Sequence, residues 1–142
     1  MPRIQRAEID IAAPAKAVWD ALVDTAKWPA FDPYCDRIEG VPALGATIKA
    51  FTKLAPGRAF PVKVTTFEAP RLMVWSGGMP LGLFTGVRTF TVTAKPSGLA
   101  HFAMTEVFSG PLLGLIGKSL PDMTEPFDAF CKGLKATAEA KS

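Results

Sequence analysis

Residues 111–140, PLLGLIGKSLPDMTEPFDAFCKGLKATAEA, decide the fold. Apolar side chains recur at Leu112, Ile116, Leu120, Met123, Phe127, Phe130, Leu134 and Ala138. The steps are three and four residues, the spacing of one helix face. Lys118, Asp122, Glu125, Lys132, Lys135 and Glu139 fall opposite. A helix with two phenylalanines on its stripe needs a broad apolar surface to lie on. Pro121 and Pro126 each lack an amide donor and crowd the carbonyl four residues back. The helix is therefore expected to bend or break there and restart near Ser119 or Thr124. Ser119 with Asp122 three residues on resembles an N-cap with an acid in the first turn, where the missing donor of Pro121 costs little.

The surface must come from upstream. Ile4 to Ile11 alternates, with Gln5, Ala7, Ile9 and Ile11 in one phase, and reads as a half-buried strand. Pro14 opens a short amphipathic helix through Val18, Trp19 and Leu22 to about Asp24, and Ala26 to Phe31 forms a second, with Trp28 and Phe31 as anchors. Strands follow at Cys35–Glu39, Thr47–Lys53, Phe60–Glu68, Leu72–Ser76, Phe84–Ala94 and Leu99–Phe108. Gly77 to Gly82 reads as loop, and the stretch Gly77 to Leu83, with Met79, Leu81 and Leu83, as a lid or an exposed apolar patch. Sequential strands joined by short turns pair as neighbours. The expected architecture is α+β: a curved antiparallel sheet of six to seven strands around a long C-terminal helix, with two short helices after the first strand. A curved sheet cannot press flat on a straight helix, so a core of large side chains or an apolar pocket lies between them.

Composition narrows the function classes. The 142 residues suit a single domain spanning residues 1–142, and 49% apolar against 20% charged residues argues against disorder. The net charge of +3 is scattered, with no basic run to suggest nucleic acid. Cys35 and Cys131 lie far apart and the chain has a single histidine, so no zinc site is expected. Neither GxGxxG nor a P-loop occurs, and no cofactor is expected. The start, MPRIQRAEIDIAA, lacks a signal-peptide core, and no run is long enough to span a membrane. A soluble, cytoplasmic protein is the expectation.

The sharpest local inference concerns the last two strands. Phe102, Met104, Glu106 and Phe108 share one face, with His101 on the other. A loop over Pro96 to Gly98 pairs Lys95 with Leu99, which sets Val92 opposite Phe102, Phe90 opposite Met104 and Arg88 opposite Glu106. An arginine and a glutamate are thus expected together on an otherwise apolar inner face. Charges there must be paired or hydrogen-bonded. The pair either satisfies itself at a cavity mouth, anchors a ligand's polar group, or supplies Glu106 as an acid/base. Gly77, Gly78, Gly82 and Gly86 read as turn and lid glycines.

The chain also resembles a known family. Ala13 to Asp24 (APAKAVWDALVD), Trp28 to Phe31 (WPAF), Pro70 to Trp75 (PRLMVW) and Thr105 to Leu113 (TEVFSGPLL) resemble the helix-grip fold of the START and Bet v 1-like (SRPBCC) superfamily, in its polyketide cyclase/dehydrase-like branch. The resemblance covers nearly the whole chain. It implies binding of a lipid, polyketide or aromatic molecule, or a cyclase, dehydratase or aromatase reaction in the same cavity. It also turns Trp75 inward. The expected ligand-binding set on the sheet is Trp75, Arg88, Phe90, Phe102, Met104, Glu106 and Phe108. On the helix it is Met123, Phe127 and Phe130. Trp19 and Trp28 are expected to be structural anchors, and Asp32, Tyr34 and Asp36 lie at one end of the cavity. An interaction module with a closed core is the third class.

Overall fold

A computed structural model describes residues 3–78, 80–116 and 122–141. The strands are β1 (Arg3–Ile11), β2 (Cys35–Glu39), β3 (Thr47–Thr52), β4 (Ala59–Glu68), β5 (Leu72–Gly78), β6 (Thr85–Ala94) and β7 (Ala100–Ser109). After β1 come α1 (Ala15–Val23), a 3-10 turn (Thr25–Lys27) and α2 (Trp28–Phe31); after β7 come α3 (Leu113–Ile116) and α4 (Thr124–Lys141). The sheet is antiparallel with order β1-β7-β6-β5-β4-β3-β2. Six strands follow one another as a meander, and β1 closes the far edge against β7. Register shifts at Cys35/Arg37 and Val64/Thr66 are bulges that curl the sheet. This is the helix-grip architecture.

The β6–β7 register is the one the alternation predicts: Val92 faces Phe102, Phe90 faces Met104 and Arg88 faces Glu106. The hairpin closes through the Lys95 amide on the Leu99 carbonyl. One expectation changes. Gly77 and Gly78 belong to β5 and Gly86 to β6, so they are not turn residues; Gly77 pairs directly with Gly86. The C-terminal helix breaks, as the two prolines lead one to expect. α3 is a single short turn, and the long helix restarts at Thr124, where Asp122 Oδ1 accepts from both the amide and the hydroxyl of Thr124. Pro126 falls in the first turn, where an amide has no helical partner anyway; the first helical bond runs from the Phe127 amide to the Met123 carbonyl. Leu120, Ser119, Lys118, Pro121 and Met79 lie outside the described residues.

α4 runs parallel to β1 over the concave face. Its start is tied down where the Met123 amide donates to Gln5 Oε1, 2.9 Å, and its end where the Ala12 amide donates to Glu139 Oε2, 2.8 Å. Phe127, Phe130, Leu134 and Ala138 are buried along its underside. α1 buries Val18, Trp19, Ala21 and Leu22 against the same core. Among the described residues, no helix is long and apolar enough to cross a membrane.

Gly133 explains how close α4 can come to α2. A methyl group there would overlap the Phe31 carbonyl oxygen. Gly133→Ala should therefore destabilise the fold by about 2 kcal/mol, the scale of overpacking, although helix propensity alone favours alanine. Urea unfolding checks this; a stabilised variant would mean that α4 does not lie against α2 as described.

Candidate functional site

The concave face has two halves. In the inner half, Phe90, Phe102, Met104 and Met73 are fully buried, and Trp28 enters from α2 to cover them. The Trp28 ring stacks on Trp75 at 5.2 Å and meets the Phe130 ring edge-on at 4.7 Å. Phe90 lies 5.0 Å from Trp75 and 6.4 Å from Phe102. Trp28 is a structural anchor, as expected: its indole N–H donates to the Leu22 carbonyl at 3.0 Å. The volume beneath Phe130 is therefore filled by aromatic rings.

The other half is polar. Direct cross-strand partners share a face, so one rung runs Gln5, Glu106, Arg88, Trp75 and Val64 across five strands. Arg88 Nη2 and Nε both donate to Glu106 Oε1, at 2.6 and 3.1 Å. The pair is half-buried, and the guanidinium stands 5.0 Å over the Phe127 ring. Glu106 Oε2 takes no part in that contact and faces Gly86, where an added Cβ would sit 3.2 Å from it. The next rung holds Arg3, Phe108, Gly86, Gly77 and Val62. Gly77 is forced by crowding: a Cβ there would meet the Pro61 carbonyl and Val62 Cγ1 at 2.9 Å. Gly86 leaves the space beside Glu106 and Phe108 without a side chain of its own. Phe108 is partly exposed and stacks on Phe84 at 5.8 Å, and Met123, just before α4, packs against the core, also partly buried.

Two further groups define this end. Trp75 is 2% exposed, yet its indole N–H has no acceptor and is the one such buried side-chain atom among the described residues. A buried donor without a partner costs about 1–3 kcal/mol. Asp32, just after α2, is 9% exposed and accepts the Tyr34 amide at Oδ1, 3.0 Å. Burial pushes its carboxyl above the ordinary range, against the Tyr34 hydrogen bond and the pull of Arg88 and Lys53.

The remaining candidates lie elsewhere. Tyr34 points its hydroxyl at Glu125 Oε1, 2.8 Å away. Asp36 is exposed and pairs with Arg37. His101 sits on the convex face between Asp10 and Glu8. Burial pushes the thiols of Cys35 and Cys131 up to about 11 and about 12, which leaves neither a nucleophile at neutral pH. Leu81, at the tip of the β5–β6 connection, is 95% exposed. A surface hollow of about 600 Å³ on the outer side of α4, lined by Asp122, Glu125, Asp128 and Lys132, is separate from the concave face. No group of three or more His, Cys, Asp or Glu suited to a metal occurs among the described residues.

Gln5, Gly77 and Gly86 are the site residues that the sequence leaves unmarked, whereas Asp32 is expected at one end of the cavity. The inward phase of Gln5 is legible, but its place beside Glu106 depends on the β1–β7 pairing.

The Asp32 carboxyl makes stability depend on pH. Its folded pKa exceeds the unfolded value near 3.8, so the native state binds more protons in that window and stability falls as pH rises through it. Asp32→Asn keeps an acceptor for the Tyr34 amide and removes the cost. Its Tm should exceed that of the parent at pH 7, with the gain shrinking towards pH 4. A less stable variant at pH 7 would mean that attraction to Arg88 and Lys53 outweighs burial.

Solved structures share this arrangement. A hypothetical protein from Helicobacter pylori superposes with TM-score 0.78 at 17% identity, covering 96% of this chain and 88% of its own. The aromatase/cyclase ZhuI from Streptomyces sp. R1128 gives 0.73 at 14% identity, with 99% and 96% covered. A START superfamily protein from Mycobacterium smegmatis gives 0.70 at 10% identity, with 98% and 99% covered. At these identities the likeness is one of fold. No curated protein matches the chain by sequence. The model of the family described as polyketide cyclase/dehydrase and lipid transport matches residues 3–139. A helix-grip chain matched over nearly its whole length in this way belongs to that family.

Proposed function

We propose that the protein binds a small hydrophobic or aromatic molecule in the half of the grip between the Arg88–Glu106 rung and the Gly77–Gly86 rung. The observation that carries this is the Trp75 indole N–H, buried without an acceptor beside a half-buried ion pair. A folded core normally satisfies such a donor, and unsatisfied ones call for an explanation. A bound group that reaches it, with a small shift of the packed rings, recovers the cost. Phe108, Met123 and Phe127 supply apolar walls, while Arg88 and Glu106 fix the polar end. Phe90, Phe102, Met104 and Phe130 act as the packed floor behind Trp28. The family's range, from cyclases to lipid transport, agrees with such a site.

Naphthalene is a suitable neutral probe. Added to labelled protein, it should move the NMR signals of the Trp75 indole N–H and the Met123 methyl, and leave Trp19 on α1 in place. If no signal moves, or only convex-face signals do, the binding site is not here.

Asp32 favours a second reading, in which the family's enzymatic chemistry uses its carboxyl. Glu106 gives one oxygen to two guanidinium N–H groups. Asp32 Oδ2 has no hydrogen-bond partner among the described residues, and its carboxyl is displaced towards neutral pH, which suits proton transfer. Deuterium uptake at the α-carbon of 2-tetralone in D2O should then be faster with the protein than in buffer, and Asp32→Asn should abolish the excess. Equal rates with and without protein would remove this reading.

A further inference from the structure

The polar half of the grip contains charge, and the cation at its centre, Arg88, already has a carboxylate. Arg88 is engaged twice by Glu106. It also lies in the field of Asp32, as does Lys53. At the end of the same face, Arg3 lies in the field of Asp122, whose carboxyl is lowered first by the two Thr124 hydrogen bonds and then by Arg3. An acceptor that remains on offer is Glu106 Oε2, directed at the glycine rung. On the same rung, two strands away, the Trp75 N–H remains a donor with no acceptor.

We infer that the ligand's polar end is an uncharged hydroxyl on an apolar or aromatic body, and that the site discriminates against carboxylates and phosphates. This rests on the ligand-site reading given above. A hydroxyl carries one donor and two acceptor positions. It therefore gives its proton to Glu106 Oε2 and turns its lone pairs towards donors such as the Trp75 N–H. A carboxylate has no proton to give. It meets Glu106 Oε2 as a like charge in a partly desolvated place, and the guanidinium that would attract it is already neutralised. Selectivity here comes from repulsion as much as from attraction.

Three probes of one shape separate the terms: naphthalene, 2-naphthol and 2-naphthoate at pH 7, with affinities taken from NMR titration. The expected order is 2-naphthol, then naphthalene, then 2-naphthoate, with 2-naphthol about tenfold tighter than the anion. Glu106→Gln removes the repelling charge and releases Arg88, so it should narrow or invert that ratio. Circular dichroism of the variant guards against misfolding, and the parent ranking alone decides the matter if the variant does not fold. If 2-naphthoate binds the parent as tightly as 2-naphthol, or naphthalene matches 2-naphthol, the inference is overturned while the ligand site stands. If none of the three binds, the ligand site falls and the inference with it.

Discussion

The stack of Trp28 on Trp75 divides the concave face, and the rest of the interior is arranged around that division. On one side of it aromatic rings from α2, α4, β6 and β7 fill the space under the helix. On the other side the sheet carries a polar rung and then two paired glycines. Trp28 can do this because it is held from behind by the Leu22 carbonyl, and because Gly133 lets α4 close over α2. Aromatic rings prefer edge-to-face and offset contacts, and the cluster contains an edge contact of Trp28 with Phe130 and a stacked one of Trp28 with Trp75. Filling one half concentrates any ligand chemistry in the other.

That second half shows how a sheet tolerates a charge on its inner face. Arg88 and Glu106 are direct partners on neighbouring strands, so each is neutralised without a long side-chain excursion. The Phe127 ring covers the guanidinium. Gln5 extends the rung on β1 and at the same time accepts the amide that begins α4. The residue that fixes the helix over the sheet is thus a neighbour of the ion pair. A change in the seating of α4 would be felt at the site through Gln5 and Phe127.

Much of this was legible in the sequence because period-two alternation and one short hairpin fix a register. Once Lys95 and Leu99 are joined, Arg88 must meet Glu106, and Trp75 must share a face with Met73. The helix stripe from Met123 to Ala138 was equally plain. What escaped depends on contacts between elements distant in the chain. Gly77 and Gly86 have the composition of a turn, and only the crowding at Pro61, Val62 and Phe108 shows why strands need them. The sequence places Asp32 at the cavity's end, but its burial and its position in the field of Arg88 show only once α2 is folded. The break in the C-terminal helix, with a restart near Ser119 or Thr124, was foreseen from two prolines; that Asp122 holds the Thr124 amide and hydroxyl was not.

The central claim is that the glycine end of the grip holds a ligand that completes the hydrogen bonding of Trp75 and Glu106. A high-resolution crystal structure of the protein as purified from cells tests it most directly. The account predicts density beside Gly86 and Phe108 that belongs to neither protein nor bulk water, with a polar atom within hydrogen-bond distance of Glu106 Oε2 or the Trp75 indole nitrogen. Side chains packed without a gap through that space, with both atoms satisfied from within the chain, would contradict it.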